Sequence, residues 1–120
     1  MSETVDTMDW TQGAETISYQ LCGACRSVWY FRRGFCPSCG AAEPELHRAS
    51  GKGVVYAASL VCRAATPEAK AHVPYMIVLI DMAEGFRVMA HGDKALAIGD
   101  AVVARFENFT DRRVPYFEKV

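Results

Sequence analysis

Two Cys-x-x-Cys pairs, Cys22/Cys25 and Cys36/Cys39, lie ten residues apart and constrain this chain more than any other feature. Two such turns at the tips of short hairpins let four sulfurs reach one tetrahedral centre at about 2.3 Å each, the geometry of structural zinc. Iron is the main rival, because four thiolates suit it as well. Gly23 and Gly40 suit the bend of each turn, and Pro37 fixes the entry to the second. A disulfide scaffold is the other use of crowded cysteines, and the rest of the chain argues against it. The cysteines number five, Cys62 stands alone, and the first twenty residues carry Glu3, Asp6, Asp9 and Glu15 with no Lys or Arg. That is the reverse of a secretory signal, so the expected location is the reducing cytoplasm, where a metal explains the cluster best. Four protein ligands leave no open position for water or substrate. Such a site holds structure rather than catalyses, and a ribbon this small has too little core to fold without its metal.

The chain of 120 residues is half hydrophobic and 22% charged, an ordinary globular composition. No apolar run approaches the length of a membrane span. The net charge of −1 argues against nucleic acid as the partner, although the charge is uneven along the chain. Residues 1–21 are purely acidic. Residues 22–63 carry Arg26, Arg32, Arg33, Arg48, Lys52 and Arg63 against only Glu43 and Glu45. Those bases either offset the −2 of four thiolates around a divalent ion or meet an external anion. For Arg32 and Arg33 both readings stand.

Thr16–Leu21 alternates with Ile17, Tyr19 and Leu21 on one face, and Ser27–Phe31 is β-branched and aromatic, so two short strands flank the first turn. Glu45–Ser50 reads as a linking strand. After Gly51 the texture changes. Val54–Val61, Pro74–Met82, Phe86–His91, Val102–Glu107 and Val114–Phe117 read as five strands separated by Gly-, Pro- and Asp-containing turns. Five strands and little helix favour a closed barrel over an open sheet with exposed edges. The expected architecture is all-β: residues 1–15 an N-terminal segment anchored at Trp10, 16–42 a zinc ribbon, and 43–120 a five-stranded barrel resembling an OB-fold.

A catalytic set is not recognisable. His47, His72 and His91 lack ligand spacing to one another, Cys62 reads as a buried inert thiol, Asp81 and Glu84 read as turn residues, and there is no nucleophile elbow or phosphate loop. The ribbon instead carries more apolar surface than it can bury. Trp29, Tyr30, Phe31 and Phe35, beside Arg32 and Arg33, either pack on the barrel or form a partner surface.

The order of these motifs resembles the DUF35 family, in which a rubredoxin-like zinc ribbon precedes an OB-fold. The residues that carry it are Trp10 and Gly13, Tyr19-Gln20-x-Cys22-x-x-Cys25, Cys36-Pro37-x-Cys39-Gly40, Gly51-x-Gly53-x-Val55-Tyr56, Val73-Pro74-Tyr75, Ile98-Gly99-x-x-Val102 and Pro115-x-Phe117. The resemblance implies a non-catalytic accessory subunit in a hetero-oligomer with a thiolase-superfamily enzyme (a thiolase, acyltransferase or aldolase) that acts on a β-keto acyl-CoA. Degradation of aromatic or steroid-derived acyl-CoA is a setting in which such partners recur. The family often has Pro-Arg before the second turn where this chain has Arg32-Arg33, and the added charge suits CoA phosphates or an acidic partner groove. The catalytic residues would belong to the partner. Two other readings are a single-stranded nucleic-acid binder, which OB-folds and zinc ribbons both furnish, and a small self-sufficient thioesterase using the barrel.

Overall fold

The computed structural model describes residues 9–12, 14–63, 66–109 and 112–120. The readings of residues 1–8 and of Gly13 fall outside them. Among the described residues there are eight strands: β1 Ser18–Leu21, β2 Val28–Trp29, β3 Glu45–Arg48, β4 Lys52–Val61, β5 Tyr75–Met82, β6 Arg87–Gly92, β7 Ala101–Phe109 and β8 Arg112–Lys119. Two 3-10 turns, Trp10–Gln12 and Pro67–His72, are the other regular elements among the described residues. No helix among the described residues is long and apolar enough to cross a membrane.

The five expected strands close into a barrel in the order β4-β5-β6-β8-β7, with β7 returning to β4. Closure rests on two short seams: Lys52–Val54 against Ala101–Val103, and a parallel contact of His91 and Gly92 with Tyr116 and Phe117. Alternation fills the interior. Met76, Val78, Ile80 and Met82 of β5 point inward with Val55, Val88, Val102 and Phe117, while Tyr75, Ile77 and Leu79 sit half-buried outside. Gly53 is required by this closure. A β-carbon there would sit 2.6 Å from Ile80 Cγ2 and 2.7 Å from the Asp81 carbonyl oxygen.

Several local expectations are corrected. The second strand is only Val28–Trp29, because the chain turns at Tyr30 to reach the barrel. In β1 the better buried positions are Ser18 and Gln20 rather than Tyr19 and Leu21, since Gln20 makes the ribbon's internal hydrogen bonds. Glu45–Arg48 does not merely link. It pairs with β1 over its whole length, so the three-stranded sheet runs β2-β1-β3 and the expected boundary between residues 42 and 43 falls ahead of one of its strands. Asp81 lies within β5, where it holds Arg87 of β6 at 2.6 Å. Cys62 is exposed, just past the end of β4.

Sheet and barrel share one core. Ile17 is 3% exposed among barrel residues. Phe86, just before β6, has Tyr19 stacked at 4.9 Å and Tyr30 stacked at 5.9 Å. Polar ties flank the stack: the Ala49 N–H donates to Ile17 O, the Ser50 N–H to Glu84 Oε2 at 2.7 Å, and Arg113 reaches Glu15 at 2.7 Å.

Candidate metal centre

Both cysteine turns are built alike. The Cys22 N–H donates to Ser27 O and the Arg26 N–H to Cys22 O. The Cys36 N–H donates to Ala41 O and the Gly40 N–H to Cys36 O. In each turn the residue after the second cysteine takes the left-handed conformation, Arg26 at φ 69° and Gly40 at φ 81°. The second turn therefore uses glycine where the sequence led one to expect it, and the first does not: the bend falls on Arg26 rather than Gly23, and a non-glycine residue there carries strain of order 1 kcal/mol.

This repetition brings the four sulfurs within 4.8 Å of one another. Cys22 to Cys39 and Cys25 to Cys36 are 3.6 Å apart. Tetrahedral ligands at about 2.3 Å from a shared ion would stand about 3.8 Å from each other, so the group can hold one metal ion with little movement. Main-chain donors already face the sulfurs. Ala24 and Cys25 N–H groups lie 3.4 Å from Cys22 Sγ, and those of Ser38 and Cys39 lie 3.3 and 3.4 Å from Cys36 Sγ. Cys22 and Cys36 are each 1% exposed, while Cys25 and Cys39 are exposed.

Electrostatics point the same way. Hydrogen bonds from the Ser27 hydroxyl and main chain pull the Cys25 thiol down to about 6. At Cys36 burial opposes ionisation, and the Cys39 and Ser38 N–H groups outweigh it to lower the pKa. At Cys39 the Ala41 N–H favours the thiolate, but the Cys22 and Cys25 sulfurs push the group up to about 12. Four adjacent sulfurs cannot all be anionic without a cation, and a divalent ion supplies that charge while displacing protons.

Gln20 locks the loop between the two turns, a role the sequence reading missed. Its Oε1 accepts from Trp29 Nε1 at 2.6 Å and from the Arg33 N–H at 2.7 Å, and its Nε2 donates to Arg33 O at 3.0 Å. The one sequence signal was its place two residues before Cys22. Trp29 is thereby committed within the ribbon. Tyr30 accepts from Trp10 Nε1 at 2.8 Å and packs on Phe86. Phe31 and Phe35 remain 75% and 56% exposed. Arg32 approaches Asp9 at 3.9 Å, whereas Arg33 is placed by its main chain and is exposed. Trp10, Tyr30, Phe31 and Met89 line an apolar cleft of about 490 Å³, with Asp9 and Arg32 at its edge.

The model of the ChsH2 C-terminal OB-fold domain family matches residues 46–107, just over half of the chain. The chain belongs to the DUF35 family. A DUF35 domain-containing scaffold protein of Methanothermobacter thermautotrophicus is 29% identical over 107 residues, which are 85% of this chain and 80% of that protein. Another, from Methanocaldococcus jannaschii, is 37% identical over 68 residues, 56% of this chain and 48% of its own length. Among solved structures, the Ltp2-ChsH2(DUF35) aldolase superposes at a TM-score of 0.73 with 24% identity, covering 87% of this chain and 84% of the other. A Sulfolobus solfataricus DUF35 protein of unknown function superposes at 0.57 with 14% identity, covering 88% and 76%. At these identities the structural likenesses establish the fold of this DUF35 chain.

Proposed function

We propose that this DUF35 protein is a non-catalytic accessory subunit that docks on a thiolase-superfamily catalytic protein acting on a β-keto acyl-CoA. The observation that carries the reading is the match to a protein described as a scaffold over four-fifths of that protein's length. The aldolase that shares the fold, itself formed with a DUF35 chain, supports it. The metal is one structural zinc held by Cys22, Cys25, Cys36 and Cys39. Bound by four sulfurs it would supply rigidity, since no coordination position is left for a substrate. The bond-making or bond-breaking step then belongs to the partner, and this chain assembles the complex and helps hold the CoA portion in the cytoplasm.

The docking face is the exposed edge of the ribbon. Phe31 and Phe35 have the exposure and residue type of interface anchors, and Arg33 beside them offers a cation to a CoA phosphate or an acidic groove. Trp29 serves from within, holding that edge through Gln20.

Affinity purification of the zinc-loaded chain from its own host, with mass spectrometry of the retained proteins, tests the proposal. A thiolase-superfamily protein recovered in near-stoichiometric amount is the expected result. Its loss from the Phe31→Ala/Phe35→Ala variant would place the interface. An Arg32→Ala/Arg33→Ala variant should weaken assembly or raise the KM of the complex for CoA. Recovery of nucleic-acid enzymes instead, or of no partner, would overturn the reading.

A further inference from the structure

A second concavity, of about 180 Å³, is built from barrel strands, the turn before β5 and Lys94 in the loop after β6. Five rings line it, Tyr116 of β8 among them, and four from separate segments cluster: His72 from the 3-10 turn, Tyr75 from β5, His91 from β6 and Phe109 from β7. Phe109 is the hub. Its ring centroid lies 4.5 Å from His72, 4.9 Å from Tyr75 and 4.3 Å from His91. This is not core packing, because all four residues are only half-buried while the barrel interior is closed by aliphatic side chains and Phe117.

Size and chemistry select the occupant. A closed apolar cavity of about 150 Å³ takes a benzene ring, so this one has room for a single flat ring system. A ring wall favours a π-face over an alkyl chain. Tyr116 and Asn108, whose Oδ1 also accepts from Arg113 at 3.4 Å, add polar groups to the lining. His91 is held below its ordinary pKa by burial and then by His72, so at neutral pH its two ring nitrogens offer one donor and one acceptor. The carboxylate in the lining, Glu107, is ion-paired with Arg105, and Lys94 stands exposed at the rim.

We infer that this cavity binds a nucleobase, and that its ligand is a nucleotide whose phosphate meets Lys94. Nothing in the inference depends on a catalytic partner. The nucleotide is either free or the adenylate portion of a larger cofactor such as coenzyme A, and the two are separable by titration.

The chain has three histidines, and only His72 and His91 line the cavity, while His47 lies in β3 of the ribbon sheet. Their ring protons, followed by NMR in the zinc-loaded full chain at fixed pH, therefore contain their own control. AMP should shift His72 and His91 saturably and leave His47 in place, while ribose 5-phosphate should move none of them. Phe109→Leu keeps apolar bulk and removes the ring, and it should weaken AMP about tenfold. Lys94→Ala should weaken AMP and spare adenosine. Coenzyme A acting at lower concentration than AMP assigns the site to the larger cofactor, and equal potency assigns it to the free nucleotide. Unmoved His72 and His91 at the solubility limit of AMP, or an AMP affinity unchanged in folded Phe109→Leu, overturns the inference. Tight, salt-sensitive binding of an oligonucleotide with AMP inert also overturns it, in favour of a single-strand groove.

Discussion

Gly53→Ala is the substitution that tests the barrel most sharply. The added methyl would meet Ile80 Cγ2 at 2.6 Å and the Asp81 carbonyl oxygen at 2.7 Å, about 1 Å inside ordinary contact. Ile80 is fully buried and cannot swing away. The carbonyl belongs to the strand that pairs with Gly53 through Met82 and with Val54 through Asp81, so it cannot retreat without opening the β4–β5 ladder. Overpacking of this kind costs about 1–3 kcal/mol, and the stiffer unfolded chain returns about 0.4–1 kcal/mol. The net loss is about 1–2 kcal/mol. An unfolding entropy of about 2.1 cal/mol/K per residue gives a chain of this length a melting-temperature drop of about 4–8 °C. Gly34→Ala is the matched control, because nothing lies within 4 Å of its would-be methyl. It should be neutral or slightly stabilising. Thermal melts of the zinc-loaded variants by circular dichroism decide the matter, with urea melts as a check on two-state behaviour. A Gly53→Ala protein that melts at or above wild type would refute the claim that closure, rather than turn formation, demands glycine there.

Three further predictions concern the ribbon and the ring cluster. Chelation of the metal should red-shift the emission of both tryptophans, Trp10 and Trp29, before the barrel's circular dichroism changes, because both indoles are anchored on the ribbon. Gln20→Ala removes three hydrogen bonds at a cost of about 2–3 kcal/mol, and should be seen as faster zinc loss to a chelator with little change in the barrel. His91, with His72, Tyr75, Lys94, Glu107 and Tyr116 around the same cavity, is lowered by burial first and by His72 second. The unfolded chain therefore takes up that proton first, so stability is complete above about pH 6.5 and falls as pH drops below it. His91→Gln should flatten that part of the pH profile, measured as the difference from wild type so that acid release of the metal cancels.

Features set by neighbours in sequence were legible before any coordinates. The Cys-x-x-Cys spacing dictates the two turns, and period-two alternation with Gly85 and Gly99 at turns marks the barrel strands. What escaped depended on distant pairings. Glu45–Arg48 looks like a linker because nothing local reveals that β1 is its partner. Gln20 looks like an outward strand residue until the Arg33 main chain arrives to meet it. Cys62 reads as buried because β4 is apolar, yet β4 pairs with β7 only over Lys52–Val54, and its far end emerges into solvent. The ring cavity draws on residues 72, 75, 91 and 109, which only barrel closure brings together.

The aromatic stack of Tyr19, Phe86 and Tyr30 has a consequence for how such proteins can vary. Phe86 is contributed by the barrel, its two covers by the ribbon, and each would be an exposed ring if the other unit were exchanged. A ribbon transplanted from one relative to another would carry a mismatched seam unless all three positions travelled with it. The two halves are thus bound to change together, and a substitution at Tyr19 or Tyr30 in the ribbon constrains Phe86 across the joint in the barrel.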